Sequence, residues 1–250
     1  MINIQGKVAL ITGGSRGIGR AVALRFAENG ADIIVNYVRH KGDAEETARM
    51  VEKAGAKCHV VKANVAKEED LGRMFEEIEQ LFGRLDILVS NAASGVLKPA
   101  LELTPRHWDW AMDINARALL FLVQHAMPLM PPGARVMAVS SLGAVRGIPN
   151  YTTVGSSKAA LEALVRHLAV ELGPKGILVN TISAGVVDTD ALKHFPNREE
   201  ILERSLEATP IGRLTTPEDV ADIALFLASD LATMVHGQVI IVDGGYAVHG

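Results

Sequence analysis

Val8-Ala9-Leu10-Ile11-Thr12-Gly13-Gly14-Ser15-Arg16-Gly17-Ile18-Gly19 runs from an unbroken apolar segment through a glycine-rich turn into a helical pattern. An uninterrupted apolar run of strand length suits a strand buried on both faces, which is the habit of parallel sheets. Glycines at 13, 17 and 19 let the backbone turn tightly, approach a pyrophosphate and press the next helix against the sheet. Similar runs recur at Asp32–Tyr37, Cys58–Lys62, Leu85–Ser90, Arg135–Ser140, Ile177–Ile182 and Gln238–Val242, and the first strand covers Val8–Thr12. Helical patterns separate them, beginning with Ile18–Asn29, Asp43–Ala54 and Glu68–Phe82. Strands alternating with helices predict an α/β fold, a parallel sheet with right-handed crossovers and helices on both faces. A glycine turn between its first strand and first helix predicts nucleotide binding.

The whole chain, 1–250, reads as one domain, since folds of this kind often reach this length and no linker or repeat interrupts it. Apolar residues make up 48% and charged residues 22%, and a net charge of −4 argues against nucleic acid as the main partner. No apolar run is long enough to span a bilayer, and the N-terminus enters a strand at once, so a soluble cytoplasmic protein without a membrane partner is expected. The single cysteine, Cys58, excludes an internal disulfide, and the scattered histidines offer no metal-ligand spacing, so no metal is expected. Asp188 to Pro210 departs from the alternation and reads as a substrate lid of roughly 188–210.

Charge points to the cofactor. A carboxylate at the end of the second strand would bind a ribose 2′-hydroxyl. This chain has Asn36-Tyr37-Val38-Arg39-His40-Lys41 there, with no acid before Asp43. Arg39 and Arg16 suit a 2′-phosphate that a carboxylate would repel, which favours NADPH (NADP+) over NADH.

The chemistry is read from Pro149-Asn150-Tyr151-Thr152-Thr153-Val154-Gly155-Ser156-Ser157-Lys158. Tyr151 and Lys158 stand seven residues apart, about 700° on a helix, so both are expected on one helix face. A phenol and a fixed cation together can bind an oxygen on which negative charge develops. Val154, four before Lys158, can donate nothing.

These segments, with Asn91-Ala92-Ala93 after the fourth strand and Asn115 within a helix, resemble the short-chain dehydrogenase/reductase family over essentially the whole chain. The resemblance implies a Rossmann-type, doubly wound sheet of about seven parallel strands and a homotetramer built on two long helices. Ordinary members carry Tyr-x-x-x-Lys and a Pro-Gly after the sixth strand, whereas this chain has Tyr151-x6-Lys158 and Ser183-Ala184-Gly185. Both departures, and the strings Asn91–Pro99 and Asp188–Arg198, are similar to the enoyl-acyl-carrier-protein reductases, nearest to the NADPH-dependent reductase III. That likeness implies reduction of the C2–C3 double bond of a trans-2-enoyl thioester in fatty-acid elongation, with acyl carrier protein as partner. An enoyl thioester takes hydride two carbons from its carbonyl, so the acid must sit further from the donor. An offset of three residues supplies roughly 4–5 Å if the helix continues that far.

The resemblance gives Tyr151 and Lys158 as catalytic, with Tyr151 stabilising the enolate and Lys158 holding the nicotinamide ribose. The cofactor set is Gly13, Ser15, Arg16, Gly17, Ile18, Gly19, Tyr37, Arg39, Asn64, Val65, Asn91, Lys158, Gly185, Val187 and Thr189. Ser141 and Tyr151 form the substrate set. Asn115 either shapes the helix near the site or serves as an interface polar group, and Trp108 and Trp110 are assigned to core or oligomer packing. Lys193, His194 and Arg198 are either solvated lid residues or a landing point for an acidic carrier. The alternatives to enoyl reduction are a 3-oxoacyl or other carbonyl reductase of the same fold and a non-catalytic NADPH-binding module.

Overall fold

A computed structural model describes residues 2–188 and 198–248. Seven strands, β1 (Val8–Ile11), β2 (Asp32–Tyr37), β3 (Cys58–Lys62), β4 (Ile87–Ser90), β5 (Arg135–Ser141), β6 (Leu178–Ala184) and β7 (Val239–Val242), form one sheet in the order 3-2-1-4-5-6-7. Every pairing is parallel. The sheet is therefore the doubly wound, Rossmann-type one expected, and the strand order reverses between β1 and β4, where such folds open a crevice.

Two apolar layers enclose the sheet. Helices α1 (Gly17–Glu28), α2 (Lys41–Lys53) and α8 (Pro217–Ala228) cover one face, meeting Ile11, Ile33, Val35, Val89, Met137 and Val139. Helices α3 (Glu68–Phe82), α5 (Ala118–Ala126) and α6 (Thr152–Leu172) cover the other, meeting Leu10, Ile34, Leu88, Val136 and Ala138. Alternate strand residues thus feed opposite layers, as the pleat requires. In α3, Leu71, Met74, Phe75 and Ile78 recur at helical spacing on the buried side. Its first turn carries Glu68, Glu69 and Asp70, and Gly83 ends it in the left-handed region.

One helix is not regular. Thr104 caps α4 (Pro105–Met112) reciprocally with His107, and Pro105 opens its first turn. The chain then widens into a π turn, Asp113–Arg117, before α5 resumes. That wider turn holds Asn115 at 2% exposure. Its amide oxygen accepts from Ser94 N, and its amide nitrogen donates to Ser94 O and Ser157 Oγ, all at 2.8 Å. Of the two readings of Asn115, the one that shapes the site region is therefore correct. Trp108 and Trp110 are 45% and 39% exposed, which removes the core as their destination because α4 turns them outward.

The expected lid lies partly outside the described residues, and Thr189, Lys193 and His194 fall there. Within them, Arg198–Glu207 forms α7, and Arg198 holds both carboxylate oxygens of Asp188 at 2.7 Å.

Asn115→Ala is expected to cost about 2–3 kcal/mol in urea unfolding, because it removes the three hydrogen bonds that tie the Ser94 backbone to Ser157 on α6. The Cys58 thiol is half-buried and desolvation pushes it up to about 12. It should therefore resist iodoacetamide at pH 8 in the folded protein and react only on unfolding, as read by mass spectrometry.

Candidate active site

The glycine turn is held by three strand ends. Thr12, fully buried after β1, accepts at its hydroxyl from Asn91 N at 2.9 Å and Ala92 N at 3.0 Å. Asn91, after β4, donates its amide to Thr12 O at 3.0 Å and Gly13 O at 3.1 Å. Asn36 in β2 accepts from Gly13 N at 3.4 Å and donates to Ala63 O at 2.9 Å. A Cβ at Gly19 would stand 2.4 Å from Gly13 O and 2.7 Å from the Asn91 amide, so α1 can press onto the turn only with glycine there. Arg16 caps α1 without a side-chain hydrogen bond to the helix, and no acid occupies the first turn. Those orphan N–H groups suit an anion. Arg20 and Thr47 bind Ser15 O, which fixes the turn against α2.

Other members of the expected cofactor set surround this crevice in different ways. Arg16 and Arg39 are exposed near the ends of β1 and β2. Tyr37 and Val65 bury their side chains in the two cores, so only their backbone faces outward chemistry. Asn64 gives its N–H to Asp70 at 2.8 Å and accepts from Ala66 N at 3.1 Å, forming a tight turn after β3. That N–H holds the Asp70 carboxyl below its ordinary range. Ile18, in the first turn of α1, is partly buried against the core. Gly185 meets Asp243 and Thr215, where a Cβ would lie 2.8–2.9 Å from both, and Val187 bridges to Thr215.

The Tyr–Lys pair differs from expectation in one respect. Lys158 lies inside α6, but Tyr151 is its N-cap, with φ −109° and ψ 10°. The two are therefore not two turns apart on one helix, and the helical rise does not measure their separation. A turn sets the tyrosine instead. Asn150 takes a left-handed φ of 62°, which asparagine tolerates better than most residues. The ring then lies against Gly143, where a Cβ would meet it at 2.5 Å. The phenol donates to Ser141 Oγ at 3.5 Å, so the two expected substrate residues do converge. Burial pushes the phenol up, partly offset by the Ser141 bond. Val154 is buried, and its methyl fills the space in front of Gly95.

Lys158 is 5% exposed, and its ammonium donates to Val139 O at 2.6 Å. Desolvation brings it down to about 8, against the opposing pull of Glu162. Glu162 is itself buried and accepts from Ser140 Oγ at 2.6 Å. Beyond this, Arg146 reaches across to the Tyr246 and Ala247 carbonyls and lies over the Tyr246 ring. Thr12, Asn36, Ser140, Ser157 and Glu162 escaped the sequence reading. Glu162 alone left a signal, a carboxylate one turn after a lysine on an apolar helix. The described residues contain no group of histidine, cysteine and acids able to hold a metal.

Comparison with known proteins agrees with this architecture. A family profile described as "Enoyl-(Acyl carrier protein) reductase" matches residues 13–247. The 1-cyclohexenylcarbonyl-CoA reductase of Streptomyces collinus is 41% identical over 97% of this chain and 87% of its own length. Among solved structures, the angucycline C-6 ketoreductase LanV with bound NADP superposes at a TM-score of 0.91 with 36% identity, covering 98% of this chain and 97% of its own. The enoyl-[acyl-carrier-protein] reductase (NADH) from Aquifex aeolicus VF5 gives the same TM-score at 32% identity, covering 99% and 98%. The chain thus belongs to the short-chain dehydrogenase/reductase superfamily, within the family described as enoyl-(acyl carrier protein) reductase.

Proposed function

We propose that the protein is an NADPH-dependent enoyl-thioester reductase acting on trans-2-enoyl-acyl-carrier-protein in fatty-acid elongation. One observation carries the reading. The position four before Lys158 holds a buried valine packed on Gly95, while the phenol is set back beside Ser141. A carbonyl reductase needs its acid next to the carbon that receives hydride, and that place is apolar here. The Streptomyces relative supports the same chemistry, since its named substrate is a conjugated enoyl thioester.

The crevice fits a dinucleotide: a glycine turn without room for a Cβ, an acid-free helix start and exposed arginines where an acid would exclude a 2′-phosphate. Gly13, Ser15, Gly17, Ile18 and Gly19 would hold the pyrophosphate, Arg16 and Arg39 the 2′-phosphate, and Asn64, Val65 and Asn91 the adenosine side. Lys158 would hold the nicotinamide ribose, with Gly185 and Val187 beside the nicotinamide. NADPH would supply hydride to C3 of the substrate, and a proton taken up at C2 completes the reduction. Tyr151 hydrogen-bonds the thioester oxygen, and with the nearby ammonium it stabilises the enolate charge that develops there. Ser141 orients the phenol, and its raised pKa keeps the proton available for donation.

We read the protein as cytoplasmic, and as a homotetramer to which Trp108, Trp110 and the exposed Ile241 of edge strand β7 offer apolar surface. No helix among the described residues is long and apolar enough to cross a membrane. Within the lid, Arg198 is engaged by Asp188, which leaves it less available to an acidic carrier. The nearness of Tyr151 to Ser141 favours a second reading, carbonyl reduction, since paired hydroxyls also suit a ketone oxygen.

Mixing the protein with NADPH and either a crotonyl or an acetoacetyl thioester separates the two by nicotinamide absorbance. Oxidation with crotonyl alone is expected, and oxidation with acetoacetyl alone would overturn the assignment. Tyr151→Phe should lower kcat on the order of 10²–10³-fold with NADPH affinity nearly unchanged, whereas Lys158→Ala should weaken both. Arg39→Ala should weaken NADPH about tenfold and leave NADH untouched, measured by fluorescence titration.

A further inference from the structure

Two buried ionisable groups share α6, and the chemistry above uses only one of them. Glu162 follows Lys158 by one helical turn, and the two are 6% and 5% exposed. Lys158 donates to Val139 O and Glu162 accepts from Ser140 Oγ, each at 2.6 Å. Val139 and Ser140 are neighbours on β5, so two adjacent rungs fasten the first half of α6 to the sheet. The O–H···O distance falls in the range of a hydroxyl bound to a carboxylate anion. A buried anion is costly unless an opposite charge compensates it, and Lys158 is the cation within reach.

The surroundings supply little else. β5 brings the hydroxyls of Ser140 and Ser141, the Val139 carbonyl and, at its far end, Arg135, whose guanidinium is turned to the Gly133 and Ser229 carbonyls. β6 carries no ionisable residue, and Arg166, one turn beyond Glu162 on α6, is exposed. The segment before α6 brings the Tyr151 phenol and Arg146, which is turned to the C-terminal residues. On α4 and the π turn, Arg106 and Asp109 are exposed, His107 caps α4, and Asp113 pairs with Arg117. Glu162 is the charged residue that opposes the desolvation of Lys158.

We infer that Glu162 is a positioning residue for Lys158: held by Ser140, its carboxylate keeps the ammonium charged and in place for the cofactor. This rests on the reading of Lys158 as the ribose-binding lysine. Burial alone favours the neutral amine, and Lys158 already stands near 8 with Glu162 opposing that effect. Without the carboxylate the lysine would release its proton at lower pH. The cation would then disappear as pH rises through neutrality.

The test follows the lysine directly. Protein labelled with ¹³C at lysine Cε is titrated by NMR, the Lys158 resonance being assigned by its loss in Lys158→Arg. NADPH affinity is measured across the same pH range by fluorescence. Glu162→Gln preserves shape and should lower the Lys158 midpoint by about one pH unit or more. NADPH binding should weaken about tenfold at pH 8 while staying within about twofold at pH 6. Ser140→Ala removes the hydrogen bond that holds the carboxylate in place, so it should shift the midpoint the same way by less, and it carries the test if Glu162→Gln fails to fold. An unmoved midpoint, or an equal loss of affinity at every pH, would show that Glu162 only packs. A midpoint that moves while NADPH affinity stays flat overturns the positioning role together with the cofactor role of Lys158. A moving NADPH profile in a protein that turns over no thioester upholds the inference and sinks only the substrate assignment.

Discussion

The pairing of β1 with β4 at the point where strand order reverses is the constraint on which the site depends. There the two crossovers leave in opposite directions, and their departing ends must be held together by something other than sheet hydrogen bonds. Thr12 and Asn91 do this, with the hydroxyl taking two backbone N–H groups and the amide closing on two carbonyls. Asn36 adds the third strand. A glycine turn suspended from one strand would be mobile; one tied to three becomes a rigid ledge, with its N–H groups fixed before any ligand arrives. The Asn91 reading as a cofactor contact is therefore joined by a structural task visible in the protein alone.

The same logic governs the opposite wall. Lys158, Glu162 and Asn115 are polar groups inside an apolar layer, tolerable only because each has a partner. Asn115 links the Ser94 segment to Ser157, and Ser157 in turn bonds Val154 O, so the loop after β4 and the first turn of α6 move as one body. Val154 and Gly95 sit at that junction. The apolar contact between Val154 and Gly95 is thus locked by a neighbouring polar network.

Sequence legibility followed burial. Strands wrapped on both faces announce themselves as apolar runs, and β2 and β3 match their expected bounds, while the others differ by one or two residues at their ends. The glycine turn was equally plain, because sterics admit few alternatives. What stayed hidden depends on side chains meeting across the fold: Asn36 with the turn, Ser140 with Glu162. Tyr151 was misplaced for a local reason. Seven-residue spacing suggests two helical turns, yet Asn150 breaks the helix one residue too soon, and nothing in the periodicity marks an asparagine as left-handed.

The π turn at Asp113–Arg117 holds one residue more than the α-helical turn it replaces. Because the widened turn absorbs its extra residue, removing that residue would restore a regular helix and leave α5 with the same face on the core. What would be lost is the place of Asn115, whose amide reaches Ser94 and Ser157 from that turn. One residue of chain length between Thr104 and Ala126 thus serves the junction of the loop after β4 with α6 rather than the packing of the helix itself.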